Sequence, residues 1–218
     1  MVFWSMLGFL AFLVLLGFAL RTGQTPDGGQ MAADSPGVVH PVQQEFSATV
    51  TVSGSALEPL DPNATSAAQD PTLGSPAPTV AGEDFAGNTV TVPTPGEATI
   101  VVFLAHWCPH CQAEFPRLLD AWITPDLPQG VEVVAIPTAQ ADDRPNWPPS
   151  EWMLGGQPAW DESVLLDTPN QDAARALGVT SYPYFLVIAP DGDVAARVAG
   201  EQGVEGLTAM VDFAAGLD

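Results

Sequence analysis

The chain has 218 residues, of which 46% are hydrophobic, and it carries 26 acidic residues against five arginines and no lysine, for a net charge of -21. A surface this acidic repels the phosphates of nucleic acids, so we expect no nucleic-acid partner. The 22 prolines and 20 glycines require irregular segments, so the length allows one good-sized domain with appendages.

The first predicted element is a transmembrane anchor over residues 1–20. Residues 2–20 carry no charge, and at about 1.5 Å per residue they would nearly cross a hydrocarbon layer of roughly 30 Å. The segment lacks a basic n-region and a clear cleavage site, which favours an uncleaved helix over a signal peptide. Arg21 follows the helix, and by the positive-inside rule it would place the remaining chain in the cytoplasm.

Residues 21–75 are predicted to form a flexible linker. Small, polar and proline residues dominate this range and large apolar residues are few, a composition that is typical of spacers. Alternating apolar residues between positions 46 and 52 indicate a possible short strand within it. The composition changes after residue 75, so we predict that the folded domain covers residues 76–218.

The folded domain is predicted to alternate strands and helices. Its strands are expected at residues 89–92, 100–104, 131–136, 184–188 and 194–198, and its helices at residues 108–122, near 150–154, at 170–177 and at 204–213. The order strand, helix, strand from residue 100 to residue 136 predicts a right-handed crossover between parallel strands. Pro116 is expected to interrupt the first helix, because proline has no backbone N–H.

Residues 139–161 contain three tryptophans among four prolines. These aromatic side chains either pack an inserted helix onto the core or form a platform for a client protein. Large aromatic residues are common in both settings. Packing is the favoured interpretation.

The only two cysteines, Cys108 and Cys111, stand where the strand at residues 100–104 gives way to a helix. At a helix N-terminus the unpaired N–H groups and the helix dipole favour the thiolate of Cys108. Cys111 follows one turn later, close enough to form a disulfide with it. The spacing therefore indicates a redox-active dithiol, with Cys108 as the nucleophile and Cys111 as the resolving thiol.

Two other roles for the cysteines stay open at this stage. An inert disulfide would close a very small loop and restrain the unfolded chain little. A structural zinc site normally takes four ligands, and only three histidines accompany the cysteines. Delivery of Cu(I) by the dithiol and a histidine is the more plausible metal role.

Pro109 and His110 occupy the positions between the cysteines. The imidazole of His110 can stabilise the Cys108 thiolate by its charge or by a hydrogen bond, which would make the disulfide form more oxidising. The alternative is an exposed helix residue without an electronic role. Trp107 is expected to shield the disulfide or simply to pack, and His106 to add to the positive field or to lie on the surface.

These features together resemble the thioredoxin superfamily, and within it the membrane-anchored extracytoplasmic disulfide reductases of the TlpA and ResA kind. The resemblance covers about residues 77–217. It rests on the W-C-x-x-C sequence at residues 107–111, on the E-F-P continuation at residues 114–116, and on residues 178–183 ahead of an apolar strand. It implies a thioredoxin-like α/β fold in which helices flank a central mixed sheet.

The resemblance also implies roles for single residues. Pro183 would be a cis-proline facing the dithiol, with the backbone of Tyr182 presented to an incoming peptide. Glu114 would be a buried carboxyl that exchanges a proton with Cys111, or else an exposed acid in the first helical turn. Thioredoxin has a buried aspartate on the central strand, and Val102 stands at that position in this chain.

A single arginine does not decide the topology, and the resemblance instead implies that the domain lies outside the cytoplasm. The sequence thus predicts a thiol–disulfide oxidoreductase that acts there on protein clients, with a redox partner in the membrane and no cofactor. The direction of electron transfer stays open. A Pro-His pair between the cysteines is typical of DsbA-type oxidants, whereas the TlpA-like framework is typical of reductants. The alternative function is a copper-binding metallochaperone with the same fold.

Overall fold

The computed structural model describes residue 42, residues 44–61 and residues 69–217. The predicted transmembrane anchor, residues 1–20, lies outside this part of the chain. Within the described part, the helices are all too short or too polar to span a bilayer.

Eight strands and four helices form the described structure. The strands are β1 (Thr51–Ser53), β2 (Thr79–Glu83), β3 (Thr89–Val92), β4 (Ala98–Leu104), β5 (Val131–Pro137), β6 (Ser163–Val164), β7 (Tyr184–Ile188) and β8 (Val194–Ala199). The helices are α1 (Pro109–Leu118), α2 (Pro149–Leu154), α3 (Asp172–Ala176) and α4 (Gly203–Ala215), and a π-helical turn, Leu119–Ile123, continues α1.

A mixed five-stranded sheet with the order β6-β5-β4-β7-β8 lies at the centre. Strands β4, β5 and β6 are parallel, while β7 runs antiparallel to β4 and to β8. Every residue of β4 is buried, because both faces of the strand are covered. One face carries the buried residues of α1, α2 and α4, and the other carries those of α3 and of the small sheet. The predicted crossover joins the parallel strands β4 and β5, and the two strands predicted at residues 184–188 and 194–198 pair as an antiparallel hairpin.

The small sheet, β1-β2-β3, is antiparallel. Its third strand was predicted at the observed residues, its first only in part, and its second not at all. Strand β1 overlaps the end of the possible strand at residues 46–52. Strand β2 was missed because Gly82 interrupts its apolar pattern. An added Cβ at Gly82 would lie 3.0 Å from the Leu165 side chain, so glycine allows close packing there.

The sequence predicted an interruption of the first helix at Pro116, but α1 runs through this residue. Proline removes one hydrogen bond from the helix interior. The helix continues two residues further and then widens into the π-helical turn. At that junction the N–H of Leu119 contacts the carbonyl oxygens of both Phe115 and Pro116, so the wider turn follows the proline by three residues.

The described part of the predicted linker packs against the domain and does not behave as a spacer. Leu57 and Leu60 are 6% and 8% exposed. Their backbone N–H groups donate to the carbonyl oxygens of Ala176, at 2.9 Å, and Gly178, at 3.0 Å. Few apolar residues suffice here, because backbone hydrogen bonds, which the composition does not reveal, fix the segment.

A buried ion pair attaches the second half of this range. The guanidinium of Arg197 on β8 donates to both carboxylate oxygens of Asp70, with Nε at 2.6 Å, and its Nη1 donates to the carbonyl oxygen of Glu58 at 2.8 Å. Gly178 has a φ of +72°, and a Cβ there would lie 2.6 Å from the Glu58 carbonyl oxygen. The domain therefore begins before residue 76.

Candidate active site

Cys108 lies immediately ahead of α1, at the C-terminal edge of the central sheet. Its backbone is extended and Pro109 occupies the first helical turn, where the missing N–H costs no hydrogen bond. The sulfur lies 3.8 Å from the carbonyl oxygen of Tyr182. A nucleophile that attacks client disulfides would be expected to be exposed, but only 8% of the surface of Cys108 is accessible. A client sulfur can therefore approach the Cys108 sulfur only through this small accessible area.

The Tyr182–Pro183 peptide bond is cis, as the resemblance implied. The bond places the Tyr182 carbonyl oxygen opposite Cys108, and the carbonyl oxygen of Pro183 accepts a hydrogen bond from Gly200 at 2.8 Å. The Tyr182 hydroxyl donates to Gln171 at 2.8 Å. The structure thus brings the two predicted substrate-binding residues to the predicted nucleophile.

Cys111 is fully buried behind Cys108 and is not bonded to it in this structure. Its sulfur accepts a hydrogen bond from the N–H of Ala105 at 3.4 Å. Burial raises the pKa of the Cys111 thiol well above its usual range, and the neighbouring Cys108 and Glu114 raise it further. Cys111 is therefore a protonated thiol that must lose its proton when it forms the disulfide.

His110 is exposed, and its Nδ1 bonds to an acid and not to the Cys108 sulfur. Of the two predicted ways to stabilise the thiolate, a hydrogen bond is therefore absent from this structure, and an effect of charge stays a prediction. The His110 Nδ1 lies 2.8 Å from the Oε1 of Glu201, in the turn between β8 and α4. The His110 side chain is 69% exposed and that of Glu201 is 33% exposed. The imidazole therefore faces an acid on its outer side.

Trp107 packs against the core and is attached to residues 139–161. Its indole N–H donates to the carbonyl oxygen of Ala139 at 2.6 Å, and the guanidinium of Arg144 lies 5.5 Å from its ring centroid. These contacts support the packing role, and shielding of the disulfide stays a prediction.

Glu114 is not the exposed first-turn acid of one prediction, and its burial agrees with the other, in which proton exchange with Cys111 stays a prediction. It is fully buried, and its Oε1 accepts hydrogen bonds from the backbone N–H groups of Gln202, at 2.6 Å, and Gly203, at 2.9 Å. Its Oε2 accepts one from Arg117 at 2.8 Å. The carboxylate satisfies the first N–H groups of α4, where the positive end of the helix dipole lies.

We expect Glu114→Gln to lower the free energy of unfolding by about 1–3 kcal/mol, because charge-assisted hydrogen bonds are lost and an amide faces Arg117. Urea unfolding followed by circular dichroism measures the change. Glu151→Gln, at an exposed acid of α2, is the matched control and should change little. An unchanged unfolding midpoint for Glu114→Gln would show that the carboxylate does not stabilise the junction of α1 and α4.

His106 is buried and connects the active site to residues 139–148. Its Nδ1 lies 2.7 Å from the carbonyl oxygen of Pro145, and its Nε2 lies 3.1 Å from the backbone N–H of Ala141. Nε2 must accept from an N–H and Nδ1 must donate to a carbonyl, so the ring is the neutral Nδ1–H tautomer. His106 is therefore neither a surface residue nor a source of positive field.

Two of the tryptophans in residues 139–161 pack against α1. Trp152 and Trp160 have ring centroids 4.6 Å and 6.3 Å from that of Phe115. Trp147 lies between Phe46 and His106, with centroid distances of 5.8 Å and 5.7 Å. These contacts support packing of the insertion onto the core.

Asp167 is a buried acid near the site that the sequence analysis missed. Its carboxylate accepts hydrogen bonds from the Thr138 hydroxyl, at 2.6 Å, and from the N–H groups of Thr168, Ala173 and Ala174. Burial raises the pKa of Asp167 although these donors oppose the shift. The bonds fix the start of α3 beside Tyr182. An aspartate directly after an apolar run and a few residues ahead of a helix is the signal that could have identified it.

Among the residues that the structure describes, no group of three or more His, Cys, Asp or Glu side chains is arranged to hold a metal ion. Val102, at the position of the thioredoxin aspartate, is fully buried.

Comparison with known proteins gives one family and one fold. A family model described as AhpC/TSA family matches residues 73–197. No curated protein matches the chain. Among solved structures, StoA from Bacillus subtilis is 19% identical with a TM-score of 0.50, and the match covers 63% of this chain and 98% of that one.

Two further structures agree. The thioredoxin domain of a thiol-disulfide oxidoreductase from Bacteroides vulgatus is 22% identical, with a TM-score of 0.50, over 65% of this chain and 97% of that one. A DsbF homologue from Corynebacterium diphtheriae is 20% identical, with a TM-score of 0.50, over 63% and 85%. These likenesses confirm the predicted thioredoxin-like fold.

Proposed function

The chain belongs to the AhpC/TSA family, and we propose that it is a thiol–disulfide oxidoreductase that exchanges disulfides with protein clients through Cys108 and Cys111. One observation carries the proposal. The Cys108 sulfur stands at the start of α1, opposite the Tyr182 carbonyl oxygen and next to a cis-proline, while Cys111 lies one turn behind it. In this arrangement a client can reach the partly accessible Cys108, while the buried Cys111 is available only for the second step of the exchange.

The reaction follows from the different environments of the two sulfurs. As a reductant, the Cys108 thiolate attacks a client disulfide, a mixed disulfide forms, and the first client sulfur leaves as a thiolate. Cys111 then loses its proton and attacks the Cys108 sulfur, which releases the second client thiolate and leaves the Cys108–Cys111 disulfide. Two electrons pass to the client, and the reverse sequence oxidises a client dithiol.

The backbone beside Cys108 is the proposed contact with the client. An extended peptide can pair with exposed backbone groups through main-chain hydrogen bonds. Tyr182 supplies such backbone ahead of Pro183, and its carbonyl oxygen lies 3.8 Å from the mostly buried Cys108 sulfur. Recognition through backbone atoms suits clients of many sequences.

Equilibration of the protein with glutathione tests the proposal. We expect Cys108 and Cys111 to change together from dithiol to disulfide as the ratio of reduced to oxidised glutathione is varied, read by alkylation and mass spectrometry. The midpoint also gives the direction, because a couple well above the glutathione potential donates disulfides and one well below it reduces them. If the cysteines reacted with glutathione separately, without forming a mutual disulfide, the proposal would be wrong.

The proposed setting is the extracytoplasmic side of a membrane. The uncharged residues 2–20 support an N-terminal anchor, and an active dithiol is most useful where client disulfides persist. The full chain should sediment with membranes and be digested by a protease added to intact spheroplasts, and deletion of residues 1–20 should release it. Protection from the external protease would contradict this orientation.

A further inference from the structure

We propose that Glu201 is a positioning residue for His110: it holds the imidazole away from the Cys108 sulfur, offsets its charge, and so limits the oxidising strength of the Cys108–Cys111 couple. The inference rests on the proposed function and concerns the strength of the couple. Its starting point is the hydrogen bond between His110 Nδ1 and Glu201 Oε1, which engages the residue that the sequence predicted to act on Cys108.

Glu201 is itself held from two sides. Its Oε2 accepts a hydrogen bond from Arg117 at 2.7 Å, and Arg117 also donates to the buried Glu114. Hydrogen bonds from His110 and Arg117 lower the pKa of Glu201. The carboxylate is therefore charged at neutral pH and is fixed between two residues of α1. Because Arg117 holds Glu201 in place, Glu201 can in turn fix the orientation of His110.

The turn that carries Glu201 also touches the client side of the active site. The preceding residue, Gly200, donates its N–H to the carbonyl oxygen of Pro183 at 2.8 Å. The backbone on the other side of the cis bond faces the Cys108 sulfur. Glu201 thus follows directly after the backbone that pairs with Pro183, beside the loop whose Tyr182 carbonyl oxygen contacts the Cys108 sulfur, and its side chain is one-third exposed.

The charges that face this turn predict the sign of the effect. His110 and Arg117 are the basic groups in contact with Glu201, and Glu114 is the acid beyond Arg117. Removal of the Glu201 charge makes this group more positive by one unit and frees the imidazole to turn toward Cys108. Both changes stabilise a thiolate at Cys108, which favours the reduced protein and makes the disulfide more oxidising.

The test compares glutathione equilibria of the full chain in four forms: wild type, Glu201→Gln, His110→Gln and the double variant. We expect Glu201→Gln to shift the equilibrium constant roughly threefold to tenfold toward the dithiol, where tenfold corresponds to about 30 mV. In the His110→Gln background the same substitution should shift it by less than half as much on a logarithmic scale. A merely structural role would not produce this dependence on His110.

The matched control is Glu205→Gln, which removes one exposed acid from the first turn of α4. It should leave the equilibrium within about twofold of wild type, because surface charges that are not in contact are largely screened. The inference is overturned if Glu201→Gln behaves like this control, or if its effect is the same with and without His110. A wild-type couple that equilibrates normally while Glu201→Gln has no effect would leave the proposed function intact.

Discussion

Replacement of Cys108 by serine should abolish disulfide exchange, with a loss of about three orders of magnitude or more in the rate, because the other thiol of the site, Cys111, is fully buried and out of reach of a client. Serine keeps nearly the shape of cysteine, and the contact of the sulfur with the Tyr182 carbonyl oxygen is long, at 3.8 Å, so the fold should survive. The measurement is the rate at which dithiothreitol reduces insulin disulfides in the presence of each variant.

Cys111→Ser is the comparison that separates the two sulfurs. It removes the resolving thiol but leaves Cys108, so it should make one mixed disulfide per molecule and then stop. Catalytic turnover should fall, while the first attack on an oxidised client should proceed. The assigned roles would be contradicted by normal turnover in Cys108→Ser. They would also be contradicted if the two variants attacked an oxidised client at the same rate.

Asp70→Asn should be the most destabilising of the substitutions considered, with a loss of about 3–5 kcal/mol, because it leaves the Arg197 guanidinium buried without a counter-charge. The two side chains are 4% and 0% exposed. Unfolding in urea at neutral pH measures the effect. Asp143→Asn, in the exposed contact between Asp143 and Arg144, is the matched control, and no measurable change is expected there.

The same ion pair predicts a pH dependence. Burial alone would raise the pKa of Asp70, but hydrogen bonds from Arg197 and Thr72 outweigh it and lower the pKa from 3.8 to about 2. Because the folded-state pKa lies below the unfolded one, this stabilisation is complete above about pH 4 and is lost as the pH falls through 2. The advantage of the wild type over Asp70→Asn should therefore shrink by about 2 kcal/mol as the pH falls from neutral toward about 2. An advantage that stays constant over this range would contradict the assignment.

The inner strands of the central sheet, β4, β5 and β7, were predictable because nearly all of their residues are buried and apolar, whereas the two-residue edge strand β6 was not predicted. Strand β4 reads as an unbroken apolar run, and the pattern through residues 184–199 gave both strands of the hairpin. Burial on two faces leaves little freedom in sequence, so the pattern is clear. The cysteine pair and the proline ahead of the hairpin then located the site within the sheet.

The segment before residue 76 was not predictable in the same way. Its attachment depends on backbone hydrogen bonds of Leu57 and Leu60 and on the pairing of Asp70 with Arg197, 127 residues away. Neither interaction leaves a periodic pattern. A segment rich in small and polar residues is typical of a spacer whether or not such contacts exist.

Partners of the charged site residues were also beyond the sequence. His110 lies between the two cysteines and Glu114 lies three residues after Cys111, which suggested that they act on sulfur. Both instead contact residues of the turn before α4, about ninety positions later. Spacing along a helix shows which side chains share a face, but it does not show what packs against that face.

The central claim is that Cys108 attacks the client and Cys111 resolves the intermediate. Isolation of the intermediate tests it most directly: each single cysteine variant is mixed with an oxidised client, quenched with acid, and mapped by mass spectrometry. We predict a disulfide between Cys108 and a client cysteine in Cys111→Ser, and no adduct in Cys108→Ser. An adduct at Cys111, or none in either variant, would contradict the account.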